Sequence, residues 1–158
     1  MGIKEFYTKY KEYILFNKNI IISGICAFFA GAIFTQIYSL FDKSSFNNSL
    51  VTLTFEYAVY LPIFGYLYYT DNKTRYSDKI SGKIDRRKVI RDVKKLVVAF
   101  AISEIIYSIS KIIFHYQLLI MGIVEPYQAS MIGSLIAWTI FLVIINISVK
   151  AVNLFRSK

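Results

Sequence analysis

Four polar side chains that could do chemistry lie inside one long apolar stretch of the chain. Residues 95–124 are mostly apolar, but among them stand, in order, Glu104, Ser108, Lys111 and His115. Spacings of four, three and four residues put these side chains on one face of an α-helix. A charged group in the hydrocarbon of a bilayer costs at least about 2.5–3.5 kcal/mol, so it normally faces a partner or a watery cavity. The pattern therefore predicts a polar seam inside a membrane protein.

Two more polar residues lie in other apolar stretches. At a helix rise of about 1.5 Å per residue, Glu104 and Asn146 lie at similar depths, which predicts a hydrogen bond between them. Glu56 and Lys111 both fall in the opposite half of the membrane, which predicts an ion pair. The predicted seam comprises Glu56, Glu104, Ser108, Lys111, His115 and Asn146. It forms either a cavity that handles an ion, a proton or a headgroup, or only a polar contact between helices or subunits.

The sequence contains no complete set of catalytic or metal-binding residues. A single cysteine, Cys26, excludes an internal disulfide, and with only one histidine it cannot form a self-contained zinc, copper or haem site. There is no nucleophile–base motif, no glycine-rich phosphate loop and no HExxH. We therefore expect a protein that is not an enzyme and has no catalytic residues, no metal and no cofactor.

The elements that must position the seam are four apolar stretches. Hydrophobic residues make up 56% of the chain, and a membrane-spanning helix needs about 20 predominantly apolar residues in succession. The predicted spans cover residues 19–41, 50–69, 95–124 and 129–155. The predicted fold class is thus all-α, with a single integral membrane four-helix bundle over residues 19–158.

The N-terminal segment, residues 1–18, is predicted to be a separate amphipathic helix on the membrane surface. Its apolar residues recur at helical spacing with lysines between them. These apolar positions are Ile3, Phe6, Tyr7, Tyr10 and Ile14. The alternative interpretation is a frayed basic leader.

Basic residues are concentrated at both termini and between the second and third spans. The net charge is +9, and ten Lys or Arg residues lie between Lys73 and Lys95. By the positive-inside rule, both termini and the loop of residues 70–94 are cytoplasmic, which arranges the spans as two helical hairpins. Apolar residues within this loop predict either a second surface helix or a stalk that extends the third span.

A set of basic residues at this inner surface could bind anionic headgroups or phosphates. Its members are Lys83, Arg86, Arg87, Arg91, Lys94 and Lys150. The alternative is that these residues only determine the topology. Because they flank apolar spans, the expected partner is an anionic lipid surface and not nucleic acid. We expect a multi-pass protein of a microbial cell membrane.

The last quarter of the chain resembles a known family. The stretch from Ala129 through Asn146 to Lys150 and Phe155 is similar to the closing helix of GtrA-like proteins, small four-span membrane proteins linked to moving polyprenyl-phosphate sugars across membranes. In that family, helices two and four typically end with an Asn, then a basic residue, then an aromatic residue. Asn146, Lys150 and Phe155 match this ending, whereas the second span has Gly65 at the comparable place and no Asn.

Two functions are consistent with these patterns. The resemblance implies a small protein that translocates or binds a lipid-linked or small polar solute, at least as a homodimer. The alternative is a non-catalytic accessory subunit of a multi-subunit membrane enzyme complex, in which partner membrane subunits satisfy the intramembrane charges. The absence of a complete catalytic set and the position of the charges favour this alternative.

Overall fold

The chain folds into four long helices. The computed structural model describes residues 3–77 and 83–155, apart from the side chains of Ile3, Lys4, Phe6, Thr8 and Lys9. The helices are α1 Ile3–Tyr38, α2 Ser45–Tyr76, α3 Arg86–Met121 and α4 Pro126–Ala151. All four are long and apolar enough to cross a membrane. The predicted all-α fold with four helices is confirmed, and these helices are compatible with a small multi-pass integral membrane protein.

The helices form a ring in which each packs against two others. α1 and α3 both pack against α2 and α4. Towards one end of the bundle, Lys18 in the first half of α1 pairs with Asp71 near the end of α2 at 2.8 Å. Where α1 ends and α4 begins, the backbone N–H of Tyr127 donates to Gln36 Oε1 at 3.2 Å. We call these two ends of the bundle the Lys18 end and the Gln36 end.

The N-terminal segment is continuous with the first span. The prediction of a separate surface helix over residues 1–18 is wrong for the described part, because α1 runs from Ile3 to Tyr38 as one 36-residue helix. No glycine or proline occurs between Ile3 and Gly24 that could interrupt its hydrogen bonds. Phe16 lies in this early part of α1 and is 1% exposed, so the segment contributes to the core of the bundle.

The predicted loop of residues 70–94 is mostly helical. α2 continues to Tyr76 and α3 begins at Arg86, so both helices extend beyond their predicted ends. Residues 86–94 are therefore a stalk on the third span, which was the second of the two alternatives. The stalk begins where it does because the Asp85 carboxylate accepts the backbone N–H groups of Arg87 at 3.0 Å and Lys88 at 3.2 Å.

The boundary between the third and fourth spans also differs from the prediction. α3 ends at Gly122, which has a φ of +61° that glycine adopts without strain. Pro126 opens α4, where its missing N–H costs nothing. α4 ends before the predicted residue 155, and the chain leaves it through Asn153, whose φ is +48°.

An aromatic core fills the bundle towards the Lys18 end. The ring of Phe16 on α1 lies edge-on to four other rings at centroid distances of 5.6 to 6.4 Å. These rings belong to Phe64, Tyr68, Phe100 and Phe155. Edge-to-face pairs add to the gain from packing. One side chain of α1 thus links α2, α3 and the segment after α4.

Candidate functional site

A buried ion pair lies at the centre of the bundle. Lys111 on α3 is 0% exposed and Glu56 on α2 is 3% exposed. The Lys111 ammonium lies 3.0 Å from Glu56 Oε1 and donates to the backbone oxygen of Ser130 at 2.7 Å and to the hydroxyl of Ser134. Glu56 also accepts from Ser134 at 3.2 Å and from the Tyr107 hydroxyl at 3.1 Å. The ion pair predicted from depth is therefore present, and α4 completes it.

Small residues of α1 bring that helix against the ion pair. A Cβ built at Gly31 would collide with the Glu56 carboxylate, and one built at Gly24 would collide with the Trp138 ring. Ser23, Ala27 and Thr35 lie on the same face as Gly31, at intervals of four or eight residues, and are all buried. Small residues allow helices in lipid to approach closely. In this chain, they let α1 close one side of the site.

Glu104 forms a second polar group about two helical turns from Lys111 along α3. Its Oε2 accepts from the Tyr57 hydroxyl at 2.7 Å, and the Ser108 hydroxyl lies 2.8 Å from the same tyrosine oxygen. Glu104 Oε1 is buried and has no hydrogen-bond partner. No basic residue in the described part of the chain pairs with Glu104. Its carboxylate is therefore only half satisfied.

The two carboxylates are held by a crossed pair of tyrosines. Tyr57 of α2 donates to Glu104 of α3, while Tyr107 of α3 donates to Glu56 of α2. The two tyrosine rings lie edge-on with centroids 6.2 Å apart. The crossed pair fixes both acids between the same two helices. The sequence signal was a tyrosine one residue after the glutamate on α2 and three residues after it on α3, but spacing along the chain could not assign the partners.

A small cavity opens beside the two acids. All four helices line it, and its volume is about 40 Å³. At about 10–15 Å³ for each water, this is room for roughly three. The polar lining groups are Glu56, Tyr57, Tyr60, Glu104, Tyr107 and Ser134, and the apolar lining includes Phe28, Trp138 and Phe141.

His115 belongs to a separate polar cluster towards the Gln36 end. It is 0% exposed, and its Nε2 lies 3.3 Å from the Thr35 hydroxyl. Thr35 in turn donates to the Asn48 side chain at 2.6 Å, which also accepts from Thr52 at 3.1 Å. Gly133 of α4 packs directly on the His115 backbone, since a Cβ there would lie 3.1 Å from its nitrogen. The cluster ties α1, α2 and α3 together outside the cavity.

Asn146 does not contact Glu104, so the predicted hydrogen bond between them is wrong. The side-chain amides of Asn146 and Asn17 instead donate to each other at 2.8 and 2.9 Å. The depth argument fixed the height of Asn146 on α4 but not its direction around the helix axis. Asn146 turns towards α1, whereas Glu104 turns towards α2.

The six predicted headgroup ligands are all exposed. The structure describes Lys83, Arg86, Arg87, Arg91, Lys94 and Lys150 on the outside of the bundle. None of them lines the central cavity. Their exposure is compatible with contact to an anionic surface but assigns them no ligand.

Arg75 and Asp92 form an ion pair that the sequence analysis did not single out. Arg75 Nη2 lies 3.1 Å from the Asp92 carboxylate, which is 1% exposed, and the same guanidinium donates to the backbone oxygen of Leu154 at 3.3 Å. Its central carbon lies 6.0 Å from the centroid of the Phe155 ring. Arg75 was one of ten basic residues in its region, so composition gave no reason to prefer it.

No three histidine, cysteine or acidic side chains in the described ranges come together in a way that could hold a metal ion.

Comparison of the chain with family models, with curated proteins and with solved structures finds no match. The arrangement of the described residues therefore has to carry the functional argument.

Proposed function

We propose that this small integral membrane protein binds a small polar solute between its four helices and moves it across the membrane. The observation that carries the proposal is the central cavity, which contains a glutamate with one unpartnered oxygen. Buried polar groups are almost always hydrogen-bonded, and an exception calls for an explanation. A bound solute that donates to Glu104 would supply the missing partner.

The two acids differ in what they support. Glu56 and Lys111 satisfy each other, and three further donors and acceptors from α3 and α4 complete the pair. A buried polar group whose hydrogen bonds are all satisfied holds the surrounding helices in one arrangement. Glu104 accepts a hydrogen bond from the Tyr57 hydroxyl and has no counter-ion among the described residues. We therefore propose that Glu56 and Lys111 hold the helices in place and that Glu104 binds the solute.

The size of the cavity favours a small solute. Pockets for drug-sized ligands are typically about 300–1,000 Å³, whereas this one offers about 40 Å³. A lipid-linked sugar of the kind implied by the GtrA-like resemblance would need a wider state of the bundle. The six exposed basic residues favour that second candidate, because they would attract the phosphate of such a lipid to the inner surface.

The proposal includes an orientation and an assembly. Both termini and the connection between α2 and α3 lie in the cytoplasm, the helices form two hairpins, and the protein is a homo-oligomer in a microbial cell membrane. The positive-inside rule supports the orientation. An accessory role in a larger complex has less support, because Glu56 and Lys111 neutralise each other inside the bundle and need no partner helix.

Two measurements test the proposal. Gentle solubilisation of the native membrane should give a small homo-oligomer, while a stoichiometric complex with other subunits would contradict it. In proteoliposomes loaded with labelled methylammonium or glycine, the wild type should move at least one of them. Glu104→Leu should lower that flux at least tenfold, since a charge-assisted hydrogen bond is worth about 1.5–3 kcal/mol.

Lys73→Ser serves as the control for this change. Lys73 is exposed near the end of α2 and does not line the cavity. Its removal should leave the flux unchanged. Equal flux in the Glu104→Leu variant and the wild type would show that the seam has no part in transport.

A further inference from the structure

Two unpartnered polar atoms line the central cavity. Glu104 Oε1 and the Tyr60 hydroxyl are both buried without a hydrogen-bond partner. Tyr60 is 7% exposed, so bulk water does not satisfy its hydroxyl. Leaving such groups unsatisfied is costly. Both atoms belong to the same cavity, which suggests that one small guest contacts them together.

The charges around the cavity leave one negative charge uncompensated. Lys111 and Glu56 cancel each other at 3.0 Å. Among the described residues, Glu104 has only neutral partners, the hydroxyls of Tyr57 and Ser108. A guest with one positive charge neutralises an ionised Glu104, whereas an anion would meet two carboxylates. The charge therefore favours a monovalent cation.

The walls of the cavity are aromatic. Rings of Tyr57, Tyr60, Tyr107, Trp138 and Phe141 line it. The face of an aromatic ring attracts a cation, and aromatic cages are a recognised way to bind ammonium groups. Metal cations such as Ca²⁺ instead take six or more oxygen ligands, whereas the described lining residues offer two unpartnered oxygens, Glu104 Oε1 and the Tyr60 hydroxyl. Aromatic faces with one carboxylate suit an ammonium group better than a metal ion.

We infer that the cavity is a binding site for a small ammonium-type cation, with Glu104 as its counter-ion and the Tyr60 hydroxyl as a second contact. This inference rests on the proposed function and names the class of its solute. The space of about 40 Å³ limits the guest to ammonium or a short alkylammonium ion in this conformation.

Trp138 provides the readout. It is the single tryptophan of the sequence and lines the cavity. Purified protein in detergent is titrated with methylammonium chloride at constant ionic strength, balanced with sodium chloride, and tryptophan fluorescence is recorded. We expect a saturable change with methylammonium. Methanol, an uncharged molecule of the same size, should give none.

Two variants and a control locate the site. Glu104→Gln should weaken binding on the order of tenfold or more, because it removes the charged partner. Tyr60→Phe keeps the ring and should weaken binding a few-fold, and it tests the site even if Glu104→Gln does not fold. Glu125→Gln makes the same change at an exposed position outside the cavity and should bind like the wild type.

The outcomes separate this inference from the proposed function. An absent or non-saturable methylammonium signal, an equal response to methanol, or unchanged affinity in both cavity variants overturns the cation site. If the proteoliposomes still move another solute, the proposed function survives that result. Saturable methylammonium binding without flux of any solute supports the site and rejects transport.

Discussion

At the scale of single residues, Lys111 is fully buried and connects three helices. An ammonium has three donors and no acceptor, and those of Lys111 meet Glu56, Ser130 and Ser134. The three partners lie on two other helices. Its position therefore holds α2, α3 and α4 in one relative arrangement, and removing it leaves the carboxylate of Glu56 buried without its counter-ion.

We predict that Lys111→Met destabilises the protein by about 3–5 kcal/mol, the usual cost of breaking a buried ion pair from one side. The free energy of unfolding would be measured by SDS titration in mixed micelles. The double variant Lys111→Met/Glu56→Leu should recover most of the loss, since an apolar replacement of both charges is often neutral. If the two single effects simply add in the double variant, the pair does not stabilise the bundle.

Gly31 gives a second residue-scale prediction. Gly31→Ala should displace the Glu56 carboxylate, because a Cβ there would overlap it. We expect a lower unfolding temperature and weaker contact between α1 and α2. Gly65→Ala is the matched control: it lies in α2 with nothing within 4 Å of the added Cβ, and it should be neutral or slightly stabilising, since alanine favours helices. Equal effects of the two changes would contradict the packing argument.

The sequence allowed part of this site to be predicted. Glu56 and Lys111 could be paired because two opposite charges at one depth in lipid have to neutralise each other. The Glu104–Asn146 prediction failed because depth does not give the direction of a side chain around its helix. Ser130 and Ser134 were not identified either, since serine occurs on every helix and only the position of Lys111 makes these two important.

At the scale of elements, local signals decide where the stalk begins. Asp85 caps α3, and its pKa lies below the usual 3.8 chiefly because the backbone N–H of Lys88 donates to the carboxylate. A lowered pKa means that the ionised cap stabilises the folded state above pH 3.8, and that this contribution is lost as the pH falls through the lowered value. The stability of the first turn of α3 therefore depends on pH.

We predict faster amide hydrogen exchange in the first turn of α3 for Asp85→Ala at neutral pH. Asp85→Asn should stay close to the wild type, because asparagine caps helices as well as aspartate does. Acidification should loosen the turn in the wild type but not in Asp85→Asn, whose side chain does not titrate. Equal protection in all three proteins at neutral pH would show that the cap is unimportant.

Element boundaries were the least predictable part of the fold. The existence of four long apolar helices followed from apolar length, and it is confirmed. Their ends did not follow, because helices continue into polar sequence when nothing interrupts the backbone. α1 starts at Ile3 and α3 at Arg86 for this reason, and α4 starts at Pro126, three residues before the predicted residue 129, because proline suits the first turn of a helix.

At the scale of the whole molecule, the two polar clusters and the aromatic core follow one another along the length of the bundle. His115 lies towards the Gln36 end, the two acids lie at the centre, and Phe16 lies towards the Lys18 end. A solute would pass the hydrophilic groups first from one side and meet packed rings on the other. The proposed orientation makes the ring-filled side the cytoplasmic one.

This orientation predicts a labelling pattern in intact cells. In a Cys26→Ala background, Lys43→Cys should react with a membrane-impermeant maleimide, because residue 43 lies in the outer connection between α1 and α2 under the positive-inside assignment. Lys73→Cys should react only after the cells are opened. Both positions are exposed, so burial does not bias the comparison. The reverse pattern would place the termini outside the cell.

Biosynthesis has to handle the central charges before the bundle exists. α2 carries Glu56, and α3 carries Glu104 and Lys111, so a lone helix would enter lipid with a charge that costs at least about 2.5–3.5 kcal/mol. We expect α2 to wait at the translocation channel until α3 emerges, and the two to be released as a couple. Nascent chains halted before Lys111 should still crosslink to the channel, and longer ones should not.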